Sequence, residues 1–150
     1  MMKVRDFMSP NPIAVSTSNT FMEAVELFYR HRFDIFPVVD EKKRLMGIIS
    51  KTDLIGVFVP EYFNLLDNFS FVKDFGTLEI NKETIELIEH LFLVEDLMVS
   101  KVVTVDEETT LFTAIALMRN NQIKCLPVLR EGKLVGIISQ TDILKALLRG

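Results

Sequence analysis

Two short runs of residues carry side chains whose types and spacing could do chemistry. Each places a serine three residues before an aspartate, behind a glycine and two isoleucines: Gly47-Ile48-Ile49-Ser50-Lys51-Thr52-Asp53 and Gly136-Ile137-Ile138-Ser139-Gln140-Thr141-Asp142. An aspartate carboxylate accepts charge-assisted hydrogen bonds from hydroxyl groups, stronger than bonds between neutral partners. The start of a helix adds unpaired N–H groups and partial positive charge, which suit an anion such as phosphate. Ser50 with Asp53, and Ser139 with Asp142, therefore each form a coherent half-site. The same spacing is also that of a capping box, which stabilises a helix by about 1 kcal/mol. The two roles can coexist.

Other chemistry is thinly represented. His31 and His90 fall in different contexts, one at a helix end and one between the repeated segments, and no His/Cys/Asp cluster has zinc spacing. Cys125 is the single cysteine, has no matched histidine partner and falls in a strand expected to be buried, the setting of an inert core thiol. There is no Gly-x-Gly-x-x-Gly or Walker loop. These features predict a protein that is not an enzyme.

The elements that must position the two half-sites repeat themselves. Residues from Val4 to about Phe58 align with those from Val94 to about Leu147 at a spacing of roughly 90. Val4-Arg5-Asp6-Phe7-Met8 answers Val94-Glu95-Asp96-Leu97-Met98, and Phe36-Pro37-Val38-Val39 answers Leu126-Pro127-Val128-Leu129. Within each repeat a short strand is expected at Ile13-Ala14-Val15 or Val103-Thr104-Val105. A helix follows, apolar at Phe21, Ala24, Val25 and Phe28 or at Leu111, Ala114, Ile115 and Met118; this is the i, i+3, i+4, i+7 spacing of one buried face. Thr20 and Glu23 form a capping box at its start. Two strands come next, Ile35 to Val39 and Leu45 to Ile49 in the first repeat, turned by the charged stretch Asp40 to Arg44. The last helix runs from about Lys51 to Phe58, or from Gln140 to Leu148. Gly47 and Gly136 read as strand positions that let another backbone approach closely. The order is β-α-β-β-α twice, and the two units need each other to bury their apolar faces. The fold class is thus α/β, two motifs packed about a pseudo-two-fold axis with a helical insertion between them: a first motif over 1–58, a linker over 59–93 and a second motif over 94–150.

Here the sequence resembles the CBS domain family, whose members occur as paired motifs (the Bateman module). The resemblance covers about 110 of the 150 residues and is carried by the two Gly-x-x-Ser-x-x-Asp runs and by Pro37-Val38 and Pro127-Val128. It implies a regulatory pair that binds an adenosine-containing ligand (AMP, ADP, ATP or S-adenosylmethionine) in two inter-motif clefts. By the same resemblance the motif Asp accepts from the ribose hydroxyls, the motif Ser assists, and the adenine lies against the opposite repeat. One cleft then joins Ser50 and Asp53 with Val103, Thr104, Lys124 and Cys125. The other joins Ser139 and Asp142 with Ile13, Ala14, Asp34 and Ile35, with Ser9 near the phosphate. In relatives a basic residue three before the strand proline meets phosphate; Lys124 fits and Asp34 departs. A buried Asp34 facing phosphate would repel it, and an Asp34–Lys124 pair would favour a monophosphate or a cationic ligand. Lys51, Lys101, Arg30, His31 and Arg32 are further basic candidates whose plainer role is solvated surface charge.

Composition narrows the class. About half of the chain is apolar and the net charge is −4, against non-specific nucleic-acid binding, which needs a basic stripe. No apolar stretch approaches the roughly 20 residues of a membrane span, the N-terminus lacks a signal-peptide core, and a single cysteine suits a reducing compartment. A cytoplasmic protein is expected. In the linker, Pro60 to Leu66 is a candidate short helix, Phe69, Phe71 and Phe75 stand among polar residues, and Asn81 is a good N-cap for a helix with Ile85, Ile88, Leu91 and Phe92 in an apolar stripe. That stripe has three readings: it covers its own module, it makes a dimer contact or lid, or it docks a regulated protein. Two functions follow. One is an adenosine-ligand sensor, expected by resemblance to be a homodimer, acting on a protein partner in trans. The other is a ligand-free interaction scaffold that uses the aromatic linker.

Overall fold

The computed structural model describes residues 1–58 and 80–149, in which the repeated order expected from the sequence is present. The expectations for Pro60 to Leu66 and for Phe69, Phe71 and Phe75 lie outside the described residues. In the first repeat come β1 (Ser9–Pro10), β2 (Val15–Ser16), α1 (Phe21–His31), β3 (Ile35–Val39), β4 (Leu45–Ser50) and α2 (Lys51–Ile55), then a 3-10 turn at Gly56–Phe58. After α3 (Lys82–Leu91), the second repeat holds α4 (Val94–Leu97), β5 (Val105–Asp106), α5 (Leu111–Asn121), β6 (Cys125–Arg130), β7 (Lys133–Ser139) and α6 (Gln140–Arg149).

Local chemistry sets these elements. Thr20 Oγ1 accepts from the Glu23 N–H at 3.2 Å while the Glu23 carboxylate accepts from the Thr20 N–H at 2.9 Å, closing the expected box. Both long repeat helices stop at a left-handed residue, Arg32 (φ 55°) and Gln122 (φ 56°). The helix expected at Asn81 forms, with Asn81 Oδ1 accepting from the Thr84 N–H at 2.9 Å. Its Ile88 is buried in the first repeat's core, whereas Leu91 is exposed. The stripe thus covers its own module with part of its length. The hairpins differ by loop length: β6–β7 turns on Glu131 and Gly132, both with positive φ. In β3–β4 the Asp40 side chain accepts from the N–H groups of Lys42 and Arg44.

The sheets are β2-β3-β4 and β1-β7-β6-β5, with β2 parallel to β3, β5 parallel to β6 and the remaining pairs antiparallel. The first sheet packs on Phe21, Phe28, Phe36 and Ile49, the second on Leu111, Leu126 and Ile138. The repeats exchange their leading segments. Val4, from the first repeat, is fully buried in the second repeat's core, and Val94, from the second, is fully buried in the first. β1 then pairs with β7 through Ser9 and Ile137, and Val99 pairs with Ile48 of β4. The two glycines permit this exchange. A β-carbon on Gly47 would stand 2.6 Å from the Val99 carbonyl oxygen, and one on Gly136 would stand 3.0 Å from that of Ser9. No helix among the described residues is long and apolar enough to cross a membrane.

Candidate functional site

The exchange leaves a cleft of about 790 Å³ between the repeats, within the range of small-molecule sites of roughly 300–1,000 Å³. One wall comes from the first repeat, where β4 ends at Ser50 and the ladder sets Ile35 opposite it. The facing wall comes from the second repeat: Lys101 to Val103 ahead of β5, Asn121 to Lys124 after α5, and Cys125 at the start of β6. The floor is apolar, with Pro37, Ile48, Pro127 and Ile137, while hydroxyl, amide and ammonium groups stand around it. A flat, largely apolar ring with a polar appendage suits such a lining.

Of the residues expected in the Ser50 cleft, the structure brings Ser50, Val103, Lys124 and Cys125 to the lining of one cavity, Ser50 on one wall and the other three facing it. Asp34 and Ile35, assigned by resemblance to the opposite cleft, line this same cavity beside Ser50. The reason is the β3–β4 ladder, which ties Ile35 to Ser50 and lets the Lys51 N–H donate to the Asp34 carbonyl at 3.1 Å. Asp53, Thr104, Ser9, Ile13, Ala14, Ser139 and Asp142 do not line this cavity. Ser9 sits in β1, exposed, and Ile13 and Ala14 lie just before β2. Thr52, Asn121 and Gln122 join the wall with no sequence signal to find them.

The expected Asp34–Lys124 pair is corrected by the structure. The Asp34 side chain is 88% exposed and pairs with Lys51 Nζ at 3.3 Å. Lys51 follows Ser50 directly, so its side chain emerges beside Asp34 of the same hairpin. Lys124 and Lys101 have no ion-pair partner among the described residues. Arg30 pairs with Glu26, and Arg32 lines a separate apolar groove formed with Phe28, Leu54 and Ile85.

Both motif carboxylates cap their helices. Asp53 Oδ2 accepts from the Ser50 N–H at 2.8 Å and from Ser50 Oγ at 2.9 Å, and the Asp53 N–H donates to Ser50 Oγ at 3.2 Å. Asp142 does the same with Ser139 at 2.9, 3.0 and 3.2 Å. In neither case does a hydrogen bond reach Oδ1 among the described residues, and that oxygen is not sealed from solvent. One oxygen holds the helix start and the other is left for a further donor. Burial pushes the Cys125 thiol above its ordinary value of 9.0, so it stays protonated near neutral pH.

Residues 4–60 and 94–149 match the CBS domain. The chain belongs to the CBS domain family, as a tandem CBS pair. Over 99% of its length it is 30% identical to an uncharacterized protein of Methanocaldococcus jannaschii, covering 92% of that protein. It is 31% identical over 90% of its length to the chloroplastic CBS domain-containing protein CBSX1 of Arabidopsis thaliana, of which it spans only 58%. Among solved structures, Arabidopsis CBSX2 in complex with AMP superposes on this CBS pair with a TM-score of 0.74 at 28% identity, covering 99% of this chain and 98% of that one.

Proposed function

We propose that this CBS pair is a regulatory sensor of an adenosine-containing ligand of the AMP, ADP, ATP or S-adenosylmethionine type. The observation that carries this reading is the 790 Å³ cleft between the repeats, where Ser50 of one faces Val103, Lys124 and Cys125 of the other. The AMP complex of the related CBSX2 supports the ligand class. In this reading the apolar floor takes the base, the free Oδ1 of Asp53, three residues after Ser50, accepts from ribose hydroxyls, and Ser50 assists. The corresponding pair, Ser139 and Asp142 with Ile13, Ala14 and Ser9, serves the opposite side. Ligand binding shifts the angle between motifs only through different affinity for two arrangements, and the signal passes to a separate protein in the cytoplasm. Exposed apolar side chains on α1, α5 and α6, among them Tyr29, Phe112, Leu144 and Leu148, support self-association into a homodimer, which sedimentation would measure.

A thermal-shift screen against AMP, ADP, ATP, S-adenosylmethionine and NAD tests the function, repeated with Asp53→Ala and Asp142→Ala. A ligand at 100 times its Kd adds about 2.7 kcal/mol, a rise of about 5–10 °C for a chain of this size. The expected result is stabilisation by an adenosine ligand that one of the two variants loses. No shift with any ligand, in variants that simply melt lower, returns the aspartates to capping alone and favours the scaffold function.

A further inference from the structure

A second cavity, of about 420 Å³, lies in the first repeat and shares no lining residue with the inter-repeat cleft. Its volume also falls within the range of small-molecule sites, roughly 300–1,000 Å³. It follows one face of α1, where Phe21, Val25, Phe28 and the capping Arg32 occupy successive turns and all line it. Those turns extend over about 16 Å of helix, so the cavity is an elongated groove. Leu54 of α2 and Ile85 of α3 complete its apolar lining. At the Phe21 end the Phe58 ring stands edge-on to Phe21, with centroids 6.0 Å apart. Charge is confined to the other end. There the lining holds Arg32 and Lys51, and no aspartate or glutamate joins them among the described residues. Lys51 is brought to that end by its N–H, which donates to the Asp34 carbonyl at 3.1 Å, two residues beyond Arg32. Its ammonium is shared with the Asp34 carboxylate at 3.3 Å, whereas Arg32 has no ion-pair partner among the described residues. The fold does not demand these cations: at the repeat spacing they are matched by Gln122 and Gln140.

We infer that this groove is a second binding site, for a free amphipathic carboxylate: its acyl chain lies along α1 and its carboxylate meets Arg32, with Lys51 beside it. An apolar trench that ends in cations is complementary to a molecule with one apolar and one anionic end. The planar guanidinium offers a carboxylate two parallel N–H donors. Arg32 is exposed, so the paired charges keep their water and escape the penalty of a buried ion pair. Covering Phe21, Val25, Phe28 and Leu54 supplies the affinity, and the cations supply the preference for an anion. The inference stands apart from the adenosine reading, because the two cavities have separate linings.

Calorimetric titration of the full chain with decanoate, and with decylammonium as a chain of equal length and opposite charge, tests the inference. The expected result is one decanoate per chain, bound more tightly than decylammonium. Arg32→Gln should weaken decanoate about two- to fivefold, as loss of one exposed charge pair does, and leave decylammonium no weaker. Equal affinity for the two probes, or decanoate binding unchanged in Arg32→Gln, would overturn the inference. Failure of decanoate to bind overturns it as well, and sedimentation of the same sample then shows whether a second copy covers the groove at Tyr29, on its exposed rim. Circular dichroism of Arg32→Gln separates a lost site from a lost fold. The fold should hold, since glutamine already caps the matching helix at Gln122 in the same left-handed conformation.

Discussion

Replacing Gly47 by alanine probes the backbone exchange that shapes the cleft. The new β-carbon would lie 2.6 Å from the Val99 carbonyl oxygen and 2.9 Å from Met98 Sδ. Reaching the 3.4 Å of ordinary contact requires that carbonyl to retreat by 0.8 Å (3.4 − 2.6). It now accepts from the Ile48 N–H at 2.9 Å, and the Val99 N–H donates to the Ile48 carbonyl at 2.8 Å. A retreat of that size breaks the first bond and strains the second. One broken backbone bond at about 0.5–1.5 kcal/mol, with overpacking of about 1–3 kcal/mol, gives a loss of about 1.5–4.5 kcal/mol. For this chain length that lowers Tm by about 5–15 °C, read by calorimetry or circular dichroism. Gly136→Ala should cost less, because its nearest contact is the end of a flexible side chain, Met8 Sδ at 2.6 Å, with the Ser9 oxygen at 3.0 Å. Gly56→Ala is the control: nothing lies within 4 Å of its β-carbon and its φ is −60°. It should be neutral or stabilising by up to about 1 kcal/mol. Equal melting of Gly47→Ala and Gly56→Ala would refute the close crossing of the two repeats.

Three further outcomes follow from the structure. Val4→Ala and Val94→Ala each remove two methyl groups from the other repeat's core, so each should cost about 2 kcal/mol in urea denaturation, although both lie in leading segments. The hydrogen bond from Arg130, aided by its charge, holds the Glu107 carboxyl below its ordinary value of 4.5. Its folded value is thus depressed, so the contribution is present above pH 4.5 and lost as pH falls through the folded value; Glu107→Gln should flatten the acid limb of a stability profile there. Because burial raises the Cys125 thiol, its alkylation rate should still be climbing above pH 9.0, and a plateau below that would contradict the burial.

Much of this architecture is legible in the residues. The repeat, the strand and helix order, and the capping roles of Thr20, Ser50 and Asn81 all follow from periodicity and cap chemistry, which are local. Gly47 and Gly136 signal close approach, but not of what; the answer, Val99 and Ser9, depends on which repeat each leading segment joins. No local pattern encodes that exchange, because Val4 and Val94 look alike in sequence and are buried alike in opposite cores. The pairing of Asp34 escaped for the same reason. Pseudo-symmetry suggested Lys124, whereas the hairpin register delivered Lys51, a neighbour of Ser50. Ser50, Val103, Lys124 and Cys125 were placed together by resemblance, while Lys101 gained weight only once the wall was visible.

An adenosine ligand in the inter-repeat cleft would cover Cys125, the single cysteine, which stands on its wall. The direct measurement is the rate of Cys125 alkylation with and without AMP at 100 times its Kd. Occupancy near 99% should slow the reaction by about tenfold or more. An unchanged rate under saturating AMP would place the ligand outside this cleft.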